Sequence, residues 1–212
     1  MRAITASLLG DVGNDVPCGT CVGCCSSFWP IALRRTDAAV IPLIPIEHLI
    51  DPPNAPSGLR YMGYEADGTC PMLKAERCTV YDLRPQTCRD FDCRLFTAAG
   101  LSSAGADKAL INARIAAWQF SYATDDDRAT HEAIKSAATF ILGPARALTS
   151  IRVPSSPIAI AGLAFKAHRV FKTDQYRERA SSDVWADMIS AARAFDEALH
   201  PDSAPTTADR PT

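Results

Sequence analysis

The chain has 212 residues, 47% of them apolar and 22% charged, with a formal net charge of −2. That length allows a buried core in one large domain or two small ones, and without a basic excess to neutralise phosphates nucleic acid is not an expected partner. No apolar run reaches the roughly 18–20 residues that span a bilayer, and Met1 to Gly10 lacks the apolar core of a secretory signal, so the chain reads as cytoplasmic with no membrane partner.

In chain order, residues 1–17 read as a short lead-in with one helical turn, ending at Pro17. Next comes Cys18-Gly19-Thr20-Cys21-Val22-Gly23-Cys24-Cys25, four thiols within eight residues. Phe28 to Arg34 predicts a short strand that Pro30 confines to an edge or bulge. Thr36-Asp37 predicts a helix start before Ala38, Ala39 and Val40. Five prolines (Pro42, Pro45, Pro52, Pro53 and Pro56) then exclude a long regular element before Gly58. The second dense region holds Cys70-Pro71, a strand-like Cys78-Thr79-Val80-Tyr81, a turn at Asp82 to Pro85 leading into a short helix, then Cys88-Arg89 and Asp92-Cys93.

Beyond residue 100 the patterning is helical and rich in alanine. Ile111, Ile115, Trp118 and Tyr122 recur at helical spacing. Asp125-Asp126-Asp127 opens a second helix through Ile134, Ala137 and Ile141, stopped by Gly143-Pro144. Ile158 to Phe171 forms a third apolar segment after Pro154 and Pro157. A last helix from about Ser182 carries Trp185, Met188, Ala192, Phe195 and Leu199 on one face and ends at His200-Pro201.

The whole reads as α+β: an irregular, cysteine-rich metal-binding N-terminal half with short strands and helices, followed by an α-helical C-terminal half. Residues 1–100 are expected to be the cysteine-cluster region, 101–200 a helical region packed on it, and 201–212 a disordered polar tail.

All eight cysteines lie between Cys18 and Cys93. In a reducing compartment such clustering points to metal or redox chemistry rather than to disulfides. Repeated C-x2-C spacing lets successive sulfurs wrap one ion, with Gly19 and Gly23 easing the turn, so Cys18, Cys21 and Cys24 form a natural trio. In an extended backbone adjacent side chains point to opposite faces, so either Cys25 serves a second site or one of Cys24 and Cys25 is a bystander. The candidate ligands are Cys18, Cys21, Cys24, Cys25, Cys70, Cys78, Cys88 and Cys93. Zinc in two four-thiolate sites and an iron–sulfur cluster both remain open, since C-x2-C-x2-C with a later Cys-Pro partly fits the cluster pattern.

Two zinc ions on eight thiolates leave a charge of about −4, and a four-iron cluster about −2. Five basic residues (Lys74, Arg77, Arg84, Arg89 and Arg94) face four acidic ones in the second region. Arg84 and Arg89, embedded among the cysteines, are candidates to offset thiolate charge.

Together, Cys18, Cys21, Cys24, Cys25, Cys70-Pro71, Cys78, Arg84-Pro85 and Cys88-Arg89 resemble the YkgJ-type CxxCxxCC cysteine-cluster family over about residues 15–96. Cys93 continues the pattern as a variant. The resemblance implies zinc or iron chelation, as mononuclear ions or an iron–sulfur cluster, with a metal ion as partner. The motif is also similar to that of flagellin lysine methylases. An iron–sulfur-dependent redox or methyl-transfer enzyme is therefore one rival reading, although no glycine-rich nucleotide loop follows a strand here. A metal chaperone or sensor with an accessible, reactive thiol is another. The residues identify no catalytic group, substrate or protein partner.

Among other groups, His48 is a candidate ninth ligand, whereas His131, His168 and His200 are expected at surfaces or helix ends. Asp82, Asp90 and Asp92 are expected to pair with nearby arginines. No G-x-S-x-G or other nucleophile motif occurs.

Overall fold

The computed structural model describes residues 4, 16–29, 31–53 and 58–199. The architecture is α+β, with short strands in small sheets in the N-terminal half and a helical C-terminal half. Two compact units are formed, one from residues 2–97 with 102–119 and the other from 98–101 with 120–212. The expected lead-in (apart from Pro17 and Val16, and buried Ile4), Pro30, the helix end at His200 and the tail lie outside the described residues.

In the first unit, β1 (Ile31–Leu33), β2 (Leu49–Ile50) and β3 (Arg60–Met62) form an antiparallel sheet in the order β1-β3-β2. The register pairs Ile31 and Leu49 with Met62, gathering apolar side chains on one face. Ile31, Leu33, Val40, Ile44, Met62, Met72 and Val80 make the core there. The described part of the proline-rich segment holds one-turn 3₁₀ helices, at Ile41–Leu43 and Ile46–His48, and the two-residue β2, and no long element, as fixed proline φ values dictate.

Thr36-Asp37 lies within another 3₁₀ turn, Arg35–Asp37, rather than opening an α-helix. Its carboxylate is employed at long range: Asp37 accepts from the backbone N–H of Arg34 at 2.8 Å and from that of Gln86 at 2.8 Å. Gln86 begins α1 (Gln86–Asp90), and Thr87 on the same helix donates its hydroxyl to the Ala32 carbonyl at 2.7 Å. These bonds fasten the helix carrying Cys88 to β1.

The strand expected at Cys78–Tyr81 stops at Cys78. Here β4 (Leu73–Lys74) pairs with β5 (Arg77–Cys78), and Thr79 turns back so that its N–H and hydroxyl both donate to the Met72 carbonyl, at 2.9 and 3.1 Å. The hairpin turn places Ala75 at φ 47° and Glu76 at φ 59°, left-handed backbone that non-glycine residues adopt at a cost.

Next come α2 (Arg94–Ala99), whose last two residues belong to the second unit, and α3 (Ala109–Ala117). The 3.6-residue pattern predicted one helix through Tyr122, but it ends at Ala117, and Trp118 is extended at φ −70° and ψ 131°. Trp118 to Tyr122 contains three aromatic residues with weak helix propensity, and their side chains have partners elsewhere.

The second unit packs α4 (Asp125–Leu142), α5 (Pro157–Ala167) and α6 (Ser181–Leu199). Thr124 caps α4 by accepting from the Asp127 N–H at 3.2 Å, and three aspartates in its first turn suit the helix dipole. Ile134, Ala137 and Ile141 are buried, and α4 ends where the Gly143 N–H meets the Thr139 carbonyl at 3.0 Å. Ser156 and Pro157 start α5, while Val184, Trp185, Met188 and Ala192 form the buried face of α6. Phe195 is half-buried, edge-on to Phe165 with ring centroids 6.0 Å apart.

His131, expected at a surface or helix end, is instead buried within α4, hydrogen-bonded to the Tyr122 hydroxyl and edge-on to Phe120 at 5.0 Å. Its position on the apolar stripe with Ile134 and Ala138 explains the burial. His168 does cap a helix end, its Nδ1 2.6 Å from the Phe165 carbonyl. Among the described residues no helix is long and apolar enough to cross a membrane.

Candidate metal centre

A left-handed Gly19 (φ 58°) turns the first loop, so that the Cys21 N–H reaches the Cys18 carbonyl at 2.9 Å. Gly23 has a different role from the conformational freedom expected of it. Its φ of −54° and ψ of −45° suit any residue, but a Cβ there would lie 2.9 Å from Ile111 Cα. Glycine at 23 therefore sets how closely α3 approaches the cysteine loop.

Cys24 and Cys25 open a 3₁₀ turn, Cys24–Ser26. The Ser27 hydroxyl donates to the Gly23 carbonyl, and the buried Lys108 ammonium donates to the Ser27 carbonyl and pairs with Asp107 at 2.6 Å. The two cysteine regions meet where the Cys70 N–H donates to the Cys25 carbonyl at 2.7 Å. Cys93 precedes α2 beside a buried ion pair, Arg94 Nη2 to Asp92 Oδ2 at 2.7 Å. Trp29 packs against Phe91 and Phe96 with centroids 4.5 and 6.0 Å away.

All eight cysteines, Cys18, Cys21, Cys24, Cys25, Cys70, Cys78, Cys88 and Cys93, line one cavity of about 460 Å³. All are free thiols, and among the described residues no three His, Cys, Asp or Glu side chains are arranged as they stand to hold a metal ion. His48 does not line the cavity; its ring lies 3.4 Å from Glu65.

Crowding governs the thiol chemistry. Burial, then the neighbouring Cys24, Cys93 and Cys21, pushes Cys18 up to about 11, with Arg114 opposing. Burial, then Cys24, Cys70 and Cys78, pushes Cys88 up to about 12. Burial also raises Cys70, Cys93 and Tyr64. Cys24 goes the other way, lowered to about 7 first because it accepts the Cys25 thiol hydrogen, with Arg84 assisting, and donation to Cys24 raises Cys25. The set resists a second negative charge unless a cation accompanies it.

Of the arginines singled out in the sequence, Arg84 stacks on Tyr81 at 4.1 Å and its charge favours the Cys24 and Cys88 thiolates. Arg89 fastens backbone, donating to the carbonyls of Arg84 at 3.0 Å and Asp82 at 3.1 Å. Asp90 lies 3.7 Å from Arg34.

Sequence reasoning missed two contributors from α3 and its end. The Trp118 indole N–H donates to Cys93 Sγ at 3.2 Å, although Trp118 had looked like one more apolar helix position. Arg114 stacks on Trp118 at 4.1 Å and donates to the Pro17 carbonyl at 2.7 Å, beside Cys18. Nothing local marks either residue, because their partners are distant in sequence.

No curated protein and no solved structure matches the chain. Residues 17–110, under half of the 212, match the CxxCxxCC family, described as a "putative zinc- or iron-chelating domain", which bears out the resemblance carried by the cysteine spacing.

Proposed function

We propose that the cysteine-bearing unit binds zinc or iron, with Cys18, Cys21, Cys24, Cys25, Cys70, Cys78, Cys88 and Cys93 as the thiolate ligands. The observation that carries this reading is the single cavity that all eight line. The donor set fits a cation in two further respects. Buried, mutually repelling thiols ionise together only if positive charge joins them. Arg114 Nε is buried beside Cys18 with no acceptor among the described residues, a donor suited to thiolate sulfur.

A bound ion supplies charge neutralisation and a cross-link between the loops; the chain's own residues position the sulfurs. Loading requires side-chain rotation, because the thiols do not converge as they stand. A reducing compartment such as the cytoplasm would keep the eight thiols available as ligands. The all-cysteine donor set also suits a second reading, an iron–sulfur cluster in the same cavity.

The test is anaerobic purification followed by metal and acid-labile sulfide analysis with a visible spectrum. Stoichiometric zinc or iron is expected, and iron with sulfide selects the cluster. A chain that retains no metal and takes up none on reconstitution refutes the proposal.

A further inference from the structure

We propose that the eight thiols form two separate four-sulfur sites divided at the Cys24–Cys25 peptide: Cys25 with Cys70, Cys78 and Cys88, and Cys18 with Cys21, Cys24 and Cys93. This rests on the metal-binding reading above and deepens it by assigning the ligands.

Packing separates the sets. Cys70 belongs to the apolar core of the first unit, and Cys25, Cys78 and Cys88 pack against that core. Cys18, Cys21, Cys24 and Cys93 have no part in it. Backbone links agree: the Cys70 N–H donates to the Cys25 carbonyl at 2.7 Å, and β4–β5 pairing sets Leu73, three residues after Cys70, opposite Cys78.

Cys18 and Cys21 share one turn, the Cys21 N–H donating to the Cys18 carbonyl at 2.9 Å, and Cys24 packs outside the core that Cys25 packs against. Because the core-side group already has four sulfurs, Cys24 completes the other. The 3₁₀ turn permits this, since its three residues per turn direct adjacent side chains about 120° apart.

The two sites differ in surroundings. The core-side sulfurs are walled by Ile31, Met62, Met72 and Val80. The other set meets polar donors: Trp118 Nε1 on Cys93 Sγ at 3.2 Å, the Gly23 N–H on Cys21 Sγ at 3.4 Å, and Arg114 beside Cys18.

The experiment is cobalt(II) titration of the anaerobically prepared full-length apoprotein, read by stoichiometry and by the visible and charge-transfer spectra of tetrahedral thiolate coordination. Two ions are expected in the natural chain, and one in each of Cys18→Ala, Cys24→Ala, Cys93→Ala and Cys88→Ala. If Cys88→Ala does not fold, the three substitutions on the α3 side and Trp118→Phe decide, the last altering the spectrum of one ion and sparing the other. Saturation of the natural chain at one ion, or loss of both ions in Cys18→Ala or Cys24→Ala, overturns the division while leaving metal binding intact. Uptake of no cobalt by the natural chain overturns the metal-binding reading itself.

Discussion

Replacing Gly23 by alanine tests how the cysteine loop and α3 fit together. On backbone grounds alone the change is favourable: φ −54° and ψ −45° are helical, and removing glycine's freedom from the unfolded chain stabilises by about 0.5–1 kcal/mol. Sterically it is not. The new Cβ would lie 2.9 Å from Ile111 Cα, 3.1 Å from its nitrogen and 3.3 Å from its Cβ, and none of these is the yielding end of a flexible side chain. Ile111 is itself buried, so relief requires moving α3 as a body. Overpacking of this kind costs about 1–3 kcal/mol, leaving a net loss of up to about 2.5 kcal/mol and about 1 kcal/mol at the middle of the two ranges. For a unit of this size that lowers the midpoint by several degrees, at about 4–8 °C per kcal/mol. The assay is urea and thermal unfolding followed by tryptophan fluorescence, since displacing α3 strains the Trp118–Cys93 hydrogen bond. Gly19→Ala is the control: its φ of 58° predicts a strain cost of about 1–2 kcal/mol, but nothing lies within 4 Å and the Trp118 environment should not change. A Gly23→Ala protein as stable as the natural one, with unchanged fluorescence, would refute the close-approach explanation.

Asp37→Ala should destabilise the first unit by about 2–3 kcal/mol in urea unfolding, since it removes a charged acceptor from two backbone N–H groups, and Asp37→Asn should cost less. Substituting Ala75-Glu76 by Asn-Gly should stabilise by about 1–2 kcal/mol, because both positions have left-handed φ; no gain in the unfolding midpoint would contradict this. His168 has its pKa lowered below 6.5, first by burial and then by Lys172 and Arg169 against the opposing Phe165 carbonyl. The unfolded state therefore takes up the proton first, so this contribution to stability is complete above pH 6.5 and declines as the pH falls below it. Comparing urea midpoints at pH values either side of 6.5, the difference should shrink in His168→Gln. If the unit holds metal as proposed, a strong chelator should unfold the cysteine-bearing unit and spare much of the far-ultraviolet helical signal from α4, α5 and α6. A near-ultraviolet signal from Trp29 and Trp118 that survives complete demetallation would count against that.

Local chemistry made much of this protein legible in its sequence. Three successive aspartates announced α4, and Gly143-Pro144 its end, because first-turn charges and helix breakers act within a few residues. Five prolines ruled out a long element before Gly58 for the same reason. The fixed spacing of the cysteines announced, over about residues 15–96, the resemblance that the family match over residues 17–110 bears out, since thiols that close together have few other purposes. Periodicity failed where a side chain had a distant partner. Trp118 continued the helical pattern of Ile111 and Ile115, yet it leaves the helix and donates to Cys93, and His131 matched a surface position yet is buried against Tyr122 and Phe120.

Only the tertiary structure decided that all eight thiols line one cavity, that Gly23 is glycine because Ile111 lies against it, and that Asp37 anchors the helix carrying Cys88. Each depends on segments far apart in the chain, and their meeting is determined by shape and core packing rather than by any local propensity. The adjacent pair Cys24-Cys25 shows the boundary between the two kinds of information. Sequence alone raised the question of whether two neighbouring thiols serve one ion, since in an extended backbone their side chains point to opposite faces. Tertiary packing then set Cys25, with Cys78 and Cys88, against the apolar core that includes Cys70, while its thiol still donates to Cys24.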